Sequence, residues 1–301
     1  MVRIGIDLGG TKTEVAVLAP DGRALLRRRA PTPPGYAGTV ALVGELVEAA
    51  EREAGAPPGG ATVGVGIPGS LSPTTGLVRG ANSTWLNGGR LDRDLSARLR
   101  REVRLANDAN CLALSEAADG AGAGFGTVFA AILGTGTGAG VVVDGRLLDG
   151  RNRIAGEWGH NPLPWMEAGE HPGPACWCGQ RGCIEAFLCG PALAADADGP
   201  GARDTGALPA RAAAGDARAE AALRRHAGRL ARALAHVVNL LDPDCVVLGG
   251  GLSNMEHLYE EVPRLWGRWV FSDSVTTPIL RARHGDSSGV LGAARLWDAA
   301  P

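Results

Sequence analysis

Apolar residues in this chain fall into short β-rich runs and longer segments with helical spacing. Residues 3–8 and 13–18 are two such β-rich runs, and the glycine-threonine turn between them predicts a strand–turn–strand unit. Residues 217–241 instead carry Leu, Ala and Val at helical spacing with Arg on the other face, ending at Asp242 and Pro243, which predicts a long amphipathic helix. The pattern is typical of an α/β protein.

A second strand–turn–strand unit repeats the first. Residues 127–133 predict a strand, residues 134–138 (Gly-Thr-Gly-Thr-Gly) a turn, and residues 139–143 the return strand. A similar stretch follows each unit, reading Asp-Gly-Arg-Ala-Leu-Leu at 21–26 and Asp-Gly-Arg-Leu-Leu at 144–148. Two matched units of this kind predict two similar domains that face each other.

Both glycine-threonine turns are candidate phosphate sites. Glycines let backbone N–H groups approach phosphate oxygens and threonine hydroxyls add donors, although either turn alone is also compatible with a plain hairpin. A dinucleotide fold would place its glycine loop before a helix, and a P-loop needs glycine directly before the lysine. A third glycine cluster, after the buried-strand pattern at 246–248, is a candidate adenine contact. The predicted nucleotide-binding residues are Gly9, Gly10, Thr11, Lys12, Gly134, Thr135, Gly136, Gly249, Gly250, Gly251 and Asn254.

Asp108 is the candidate catalytic carboxylate. It lies between a strand predicted at 103–106 and a helix predicted to run to residue 118. An Asp or Asn in this place commonly caps the helix, and the helix N-terminus also stabilises an ionised carboxylate, which phosphoryl transfer can use as a base. Both roles stay open at this point. Asp7, at the end of the first predicted strand, is the candidate Mg²⁺ ligand, with an ordinary strand-end Asp as the alternative.

Three of the six cysteines lie close together in the chain: Cys176, Cys178 and Cys183, with His160 before them. One imidazole and three thiolates form a closed tetrahedral zinc set that leaves no position for water, which predicts a structural zinc. Thiols that lie together by chance are the alternative. Such a zinc would fold an irregular loop and hold its acidic residues in fixed directions, where they could accept from the hydroxyls of a ligand.

Length and charge limit the classes of partner. At 301 residues the chain is long enough for two domains, and its net charge of -2 argues against a nucleic acid or an anionic membrane as the main partner. No apolar run reaches the roughly 20 residues that span a bilayer, and a strand pattern begins at once, so we expect a cytoplasmic protein that binds small molecules. Residues 190–215, rich in Ala, Gly, Pro and Asp, predict a variable surface excursion or lid.

Together these motifs resemble the ROK (repressor, ORF, kinase) family of sugar kinases. The resemblance implies an α/β, actin-like, hexokinase-type fold of two ribonuclease-H-like domains, with ATP, Mg²⁺ and sugar in the cleft between them. The expected domains are 1–118, completed by a C-terminal helix at 288–301, and 119–287, which carries the zinc loop 156–185. The motifs that carry the resemblance are 7–12, 107–110, 134–138, 156–160, 176–178, 182–185 and the cluster at 249.

The resemblance also implies a reaction, in which Asp108 is the base and the sugar's 6-hydroxyl is phosphorylated. Residues 81–87, 158–166 and 284–289 resemble bacterial fructokinases of the manno(fructo)kinase type, so fructose or mannose is the expected acceptor. A glucokinase or N-acetylhexosamine kinase is the alternative, and a sugar-sensing transcriptional regulator is a remote one because no helix-turn-helix precedes the first strand. We also expect a homodimer. The sugar-binding residues implied are Asn82, Asn107, Asp108, Glu157, His160 and Glu185.

Overall fold

The computed structural model describes residues 1–285 and 288–298. Its first half contains β1 (Arg3–Leu8), β2 (Lys12–Leu18), β3 (Ala24–Pro31), α1 (Tyr36–Glu53), β4 (Thr62–Ile67), β5 (Ser70–Leu71), β6 (Val78–Arg79), α2 (Leu91–Leu99), β7 (Val103–Asn107) and α3 (Asp108–Asp119). The second half contains β8 (Thr127–Leu133), β9 (Thr137–Val143), β10 (Arg146–Leu147), α4 (Ile184–Leu188), α5 (Gly190–Asp198), α6 (Leu208–Ala213), α7 (Ala217–Leu241), β11 (Cys245–Gly249), α8 (His257–Leu265), β12 (Ile279–Arg281) and α9 (Ser288–Ala294).

Two five-stranded sheets share one topology. The strand order is β3-β2-β1-β4-β7 in the first sheet and β10-β9-β8-β11-β12 in the second. In both, the first three strands along the chain are antiparallel neighbours, and the next two add in parallel. This duplication confirms the predicted α/β, actin-like fold. Because the parallel strands of a sheet end at the same edge, the loops that follow Leu8, Ile67 and Asn107 meet there.

Helix α9 packs directly on backbone of the first sheet and of α3. A Cβ on Gly5 of β1 would come within 2.0 Å of the Val290 carbonyl oxygen, and one on Gly64 of β4 within 1.9 Å of the Ala293 oxygen. On the other side of α9, a Cβ on Gly292 would come within 1.7 Å of the Cys111 oxygen in α3. No side chain fits between these elements, so glycine is required at all three contacts.

The predicted domain boundaries stay a prediction, although α9 lies where the C-terminal helix was expected. Residues 295–297 continue α9 as a short 3₁₀ helix. Residues 299–301 of the predicted helix lie outside the described residues, as do 286 and 287 of the predicted 284–289 motif.

Glu116, near the end of α3, joins the two places where the chain crosses between the sheets. Its side chain is fully buried, and its carboxylate accepts hydrogen bonds from the backbone N–H groups of Ala121 at 2.8 Å, Arg283 at 2.9 Å and His284 at 3.0 Å. The Ser288 hydroxyl, at the start of α9, donates a fourth bond at 2.8 Å. One carboxylate therefore links the segment after α3, by which the chain leaves the first sheet, to the segment before α9, by which it returns to that sheet.

The second sheet is covered by α7 and the helices packed on it. The predicted helix at 217–241 is confirmed with these bounds. The prediction of a surface excursion at 190–215 is wrong for α5 and α6, which pack against α7 because Leu193 and Leu208 are buried there. Small alanines let these helices approach closely. In the described ranges, no helix is both long and apolar enough to cross a membrane.

Replacing the crossing carboxylate should destabilise the protein. In Glu116→Gln the amide N–H₂ faces two of the four donors in either orientation, so we expect the free energy of unfolding to fall by about 3 kcal/mol. Urea denaturation followed by circular dichroism measures the loss. The matched control is Glu102→Gln, since Glu102 is exposed and, within the described residues, its one ion pair is with Arg104 at 3.5 Å, and we expect a change below about 0.5 kcal/mol there. Equal stability of the two variants would contradict the role of Glu116.

Candidate active site

A cavity of about 1110 Å³ opens between the carboxyl edges of the two sheets. Residues from both sheets line it, because the loops after β4 and β7 face the turn after β8 and the loop that follows β10. All the sugar-binding residues expected from the sequence are among the lining residues: Asn82, Asn107, Asp108, Glu157, His160 and Glu185. The structure thus brings this set together in one place.

Asp108 is the first residue of α3, and the helix cap is its neighbour Asn107. The Asn107 side-chain oxygen accepts from the Ala109 N–H at 2.8 Å, and its amide donates to the Gly69 carbonyl at 3.2 Å. The Asp108 Oδ1 shares the same N–H at 2.8 Å, while the side chain is exposed to the cavity. Since Asn107 caps the helix, the Asp108 carboxylate is directed into the cavity, where a reacting group can meet it.

Two acidic side chains at this edge have raised pKa values. Asp108 lies deep in the cleft, where burial, followed by the charge of Glu157, raises its pKa to about 6 against the hydrogen bond from Ala109. Burial likewise raises the pKa of Asp7 to about 6, followed by the charges of Asp108 and Glu14. The charge of Asp108 thus adds to burial in disfavouring the ionised form of Asp7. Such a group of acceptors suits hydroxyl donors and a divalent cation.

The predicted zinc ligands form one cluster beside the cavity. The four ligand atoms of His160, Cys176, Cys178 and Cys183 all lie within 4.8 Å of one another. Cys176 Sγ is 3.7 Å from His160 Nδ1, and Cys178 Sγ is 3.7 Å from Cys183 Sγ. The edge of a tetrahedron with bonds of about 2.3 Å has nearly this length, so the donor set fits zinc in both chemistry and spacing.

Glu185 connects the cysteine-bearing loop to the second glycine-threonine turn. Its Oε1 accepts from the Trp177 indole N–H at 2.6 Å, and its Oε2 accepts from the Thr137 N–H at 2.9 Å. Trp177 in turn meets the His160 ring edge to face, with centroids 4.9 Å apart. A Cβ on Gly136 would come within 2.8 Å of Glu185 Oε2, so any larger residue there would displace this carboxylate. The Glu185 carboxylate is consequently held in one orientation.

The predicted nucleotide-binding residues divide into two groups. Thr135 and Gly136 line the cavity. Gly250 packs on the end of β8, where a Cβ would be 2.5 Å from the Leu133 carbonyl oxygen. Among the described residues, the lining does not include Gly134, the turn at 9–12, the cluster at 249–254 or Asp7. The first turn is closed by a hydrogen bond from Gly9 N–H to the Lys12 oxygen at 3.0 Å.

Several lining residues are missing from the sequence-based set. Pro68 and Gly69 follow β4. Glycine is required at position 69 because its φ is +94° and because a Cβ there would be 2.4 Å from the Arg79 carbonyl oxygen. The Pro-Gly pair after the β-rich run at 62–67 was the available signal. Trp177 also lines the cavity and lies within the 176–178 motif, whereas the sequence position of Arg203, another lining residue, gave no comparable signal.

Residues 3–300 match the ROK family, and the chain belongs to this family. It is 39% identical over 310 aligned positions to the N-acetyl-D-glucosamine kinase of Yersinia pseudotuberculosis, covering 97% of each chain. The N-acetyl-D-glucosamine kinase of Vibrio parahaemolyticus is 38% identical over 300 positions, covering 97% of this chain and 98% of the relative.

Solved structures agree with this assignment. The ROK hexokinase from Thermus thermophilus has a TM-score of 0.86 at 37% identity, covering 98% of this chain and 97% of that one. A ROK glucokinase from Streptomyces griseus, in complex with glucose and AMPPNP, has a TM-score of 0.79 at 29% identity, covering 98% and 99%. The chain is therefore a sugar kinase. The family prediction is confirmed, whereas the relatives support the N-acetylhexosamine alternative better than fructose or mannose.

Proposed function

We propose that this sugar kinase phosphorylates N-acetylglucosamine at its 6-hydroxyl with ATP and Mg²⁺. The observation that carries the proposal is the identity of 38–39% to N-acetyl-D-glucosamine kinases over nearly the whole of both chains. This acceptor replaces the fructose or mannose expected from the sequence. A cytoplasmic location and a homodimer stay predictions.

The cavity has features that suit an N-acetylated sugar. Its acetamido methyl needs an apolar surface, and Ile154, Ala175 and Trp177 line the same cavity as Glu157 and His160. A volume of about 1110 Å³ exceeds what a hexose alone fills and leaves room for a nucleotide phosphate chain. The fixed carboxylate of Glu185, with Asn82, Asn107 and Glu157, offers acceptors and donors to the ring hydroxyls.

Asp108 is the proposed base. Above its pKa of about 6 it is ionised at neutral pH, and it accepts the 6-hydroxyl proton as the bond from that oxygen to phosphorus forms. The proton moves to Asp108, the phosphoryl group moves to the sugar, and ADP leaves. The N–H of Ala109 holds the carboxylate in place, while Asn107, fixed on Gly69, keeps the start of α3 rigid.

The nucleotide is proposed to lie along the glycine turns of both sheets. The turn at 134–136 and the cluster at 249–254 lie at the carboxyl edge of the second sheet, and the turn with Lys12 lies at that of the first. Asp7 would hold Mg²⁺. A divalent cation would fit there because burial, and after it the negative charge of Asp108, disfavours the ionised form of Asp7, and a positive charge would offset both. Bound Mg²⁺ would neutralise charge on the transferred phosphoryl group.

Substrate preference tests the proposal directly. With ATP and Mg²⁺, we expect kcat/KM for N-acetylglucosamine to exceed that for glucose, fructose and mannose by at least about tenfold. A pocket that hydrogen-bonds the acetamide has unpaired polar groups when a sugar without it binds. A coupled assay of ADP release measures it. The 6-deoxy analogue is the control and should give no turnover above background. A preference for fructose or mannose would refute the acceptor, and no turnover of any sugar would refute the reaction.

The base role predicts both a variant and a pH profile. Asp108→Asn should lower kcat by about 10³-fold while sugar binding, measured by calorimetry, is kept. The wild-type kcat/KM should decrease as the pH is lowered through about 6, because Asp108 has a pKa raised to about 6 and cannot act as a base once it is protonated. The control Asp204→Asn changes an exposed loop carboxylate and should leave both unchanged. Near-normal turnover of Asp108→Asn would remove the residue from this role.

Zinc is proposed to staple the loop that carries His160 and the three cysteines. Purified protein should contain about one zinc per chain by elemental analysis. Cys178→Ser should lose the metal and lower the melting temperature, because the ligand set would no longer close. Cys245→Ser, at a buried cysteine outside the cluster, should keep the metal. Metal-free protein with an unchanged melting temperature would contradict the proposal.

A further inference from the structure

Three charged side chains form a largely buried cluster beside the proposed sugar site. Glu170 lies in the cysteine-bearing loop, in a 3₁₀ turn at 168–170, and Arg229 and Arg232 lie one turn apart on α7. The three side chains are only 10%, 13% and 4% exposed, respectively. The described lining of the proposed sugar cavity includes none of the three. A buried charge is costly unless it is paired and hydrogen-bonded, so these side chains depend on one another.

The carboxylate of Glu170 accepts hydrogen bonds from both arginines. Its Oε1 accepts from Arg229 Nε at 2.8 Å and from Arg232 Nη2 at 2.8 Å, and its Oε2 accepts from Arg232 Nη1 at 2.7 Å. The backbone N–H of Glu167 donates to Oε2 at 2.9 Å. Although burial raises the pKa of Glu170, the hydrogen bonds from Arg232 and Arg229 outweigh it and lower that pKa to about 2. The carboxylate is thus ionised at neutral pH, and its bidentate pair with Arg232 has one defined geometry.

Arg232 also holds the backbone that precedes Glu170. Its Nη1 donates to the Trp165 carbonyl oxygen at 2.6 Å. Trp165 has a φ of +48°, a left-handed conformation that costs a residue with a side chain about 1–2 kcal/mol. A residue keeps such a conformation only where its surroundings impose it. The path of the chain from Trp165 to Glu170 is therefore fixed by a side chain of α7.

Arg229 connects the cluster to α4. Its guanidinium lies over the Phe187 ring of α4, with Cζ 5.1 Å from the ring centroid, and its Nη1 donates to Asp196 Oδ2 of α5 at 2.9 Å. Phe187 is buried, and a cation above an aromatic face is attracted to it. The arginine that binds Glu170 therefore also packs on the helix that carries Glu185.

The chain that follows the cluster packs on the residues just before α4. A Cβ on Gly173 would come within 2.4 Å of Gly182 Cα, and the Gly182 N–H donates to the Pro174 carbonyl oxygen at 2.9 Å. No side chain fits at Gly173, so these two parts of the loop meet through their backbones. A shift of the segment at 165–173 would consequently displace the start of α4, and with it Glu185.

We propose that Arg229 and Arg232, acting through Glu170, are positioning residues for the acceptor sugar. The proposed zinc holds the loop at its histidine and cysteines, and the cluster holds the segment at 165–173 together with α4. The Glu185 carboxylate then keeps the place from which it can accept a hydrogen bond from a ring hydroxyl. This inference rests on the proposed function, and it adds residues outside the cavity that determine how tightly the sugar binds.

The position of Glu185 depends on two sets of contacts, whereas the base depends on neither. Bonds from Trp177 and from the Thr137 N–H orient the Glu185 carboxylate, and the cluster fixes the helix on which its backbone lies. Asp108 is held by α3, in a different part of the fold. Loss of the cluster should therefore weaken sugar binding and leave the chemical step in place, which raises KM without lowering kcat.

A double variant of the full-length protein tests this role without leaving a buried charge unpaired. Glu170→Gln/Arg232→Met removes both charges together, and Arg229 keeps Asp196, so we expect the protein to fold and to hold as much zinc as the wild type. KM for N-acetylglucosamine should rise by at least about fivefold, while kcat and the KM for ATP should change by less than about twofold. Steady-state kinetics measures these values, and calorimetry should show the same loss of sugar affinity.

A conservative variant and a matched control accompany it. Arg232→Lys keeps the charge but loses the bidentate fork, so KM for the sugar should rise by about threefold; this variant gives the same test if the double variant does not fold. The control is Glu220→Gln/Arg224→Met, which makes the same exchange at an exposed pair on α7 with a separation of 4.0 Å. It should keep the wild-type kcat and KM.

Three outcomes would overturn the inference. The first is a wild-type KM for the sugar in the variants, and the second is a fall in kcat as large as the rise in KM. The third is loss of zinc in step with sugar affinity, since the cluster would then act only by keeping the loop folded. Each ratio is taken against the wild type with the sugar that it prefers. A wild type that turns over no sugar therefore contradicts the proposed function, whereas variants with unchanged KM contradict this inference alone.

Discussion

The contact of α9 with the backbone of β1, β4 and α3 is the constraint on which the rest of the structure depends. Gly5, Gly64 and Gly292 bring main chain against main chain, with no side chain between to adjust. At the start of the same helix, a Cβ on Gly289 would lie 3.1 Å from Asp7 Oδ2. The positions of Asp7 and of α3, which begins with Asp108, are therefore set by one rigid junction, and the electrostatic coupling of the two carboxylates follows from it.

Local patterns in the sequence predicted the elements with strong periodicity and the residues at strand ends. The strand at 127–133 and the helix at 217–241 have the predicted bounds because their apolar spacing continues from end to end. Asp108, Glu157 and the cysteine cluster were found because each lies in a short motif whose chemistry is local. It was not predictable that Asn107, and not Asp108, caps the helix, because this depends on the Asn107 contact with Gly69 in another loop.

Features that arise from long-range packing were missed for the same reason. Helices α5 and α6 owe their stability to burial of Leu193 and Leu208 against α7, which no local signal in an Ala-, Gly- and Pro-rich segment reports. Arg203 reaches the cavity only because these helices turn the chain back toward it. The preferred acceptor sugar was not predictable from local patterns either, because a pocket distinguishes an acetamide from a hydroxyl by a few contacts, and loops from both sheets supply them together.

The backbone contacts of α9 also bear on which positions of such a sequence can change. A side chain at Gly5, Gly64 or Gly292 would displace α9 from the first sheet or from α3, so we expect these positions to stay glycine as the sequence changes. The cysteine-bearing loop is different, because Asp108 is held by α3 and not by this loop. An exchange at a loop residue that lines the cavity, such as Ala175, can therefore change which sugar is preferred while the position of the base stays the same.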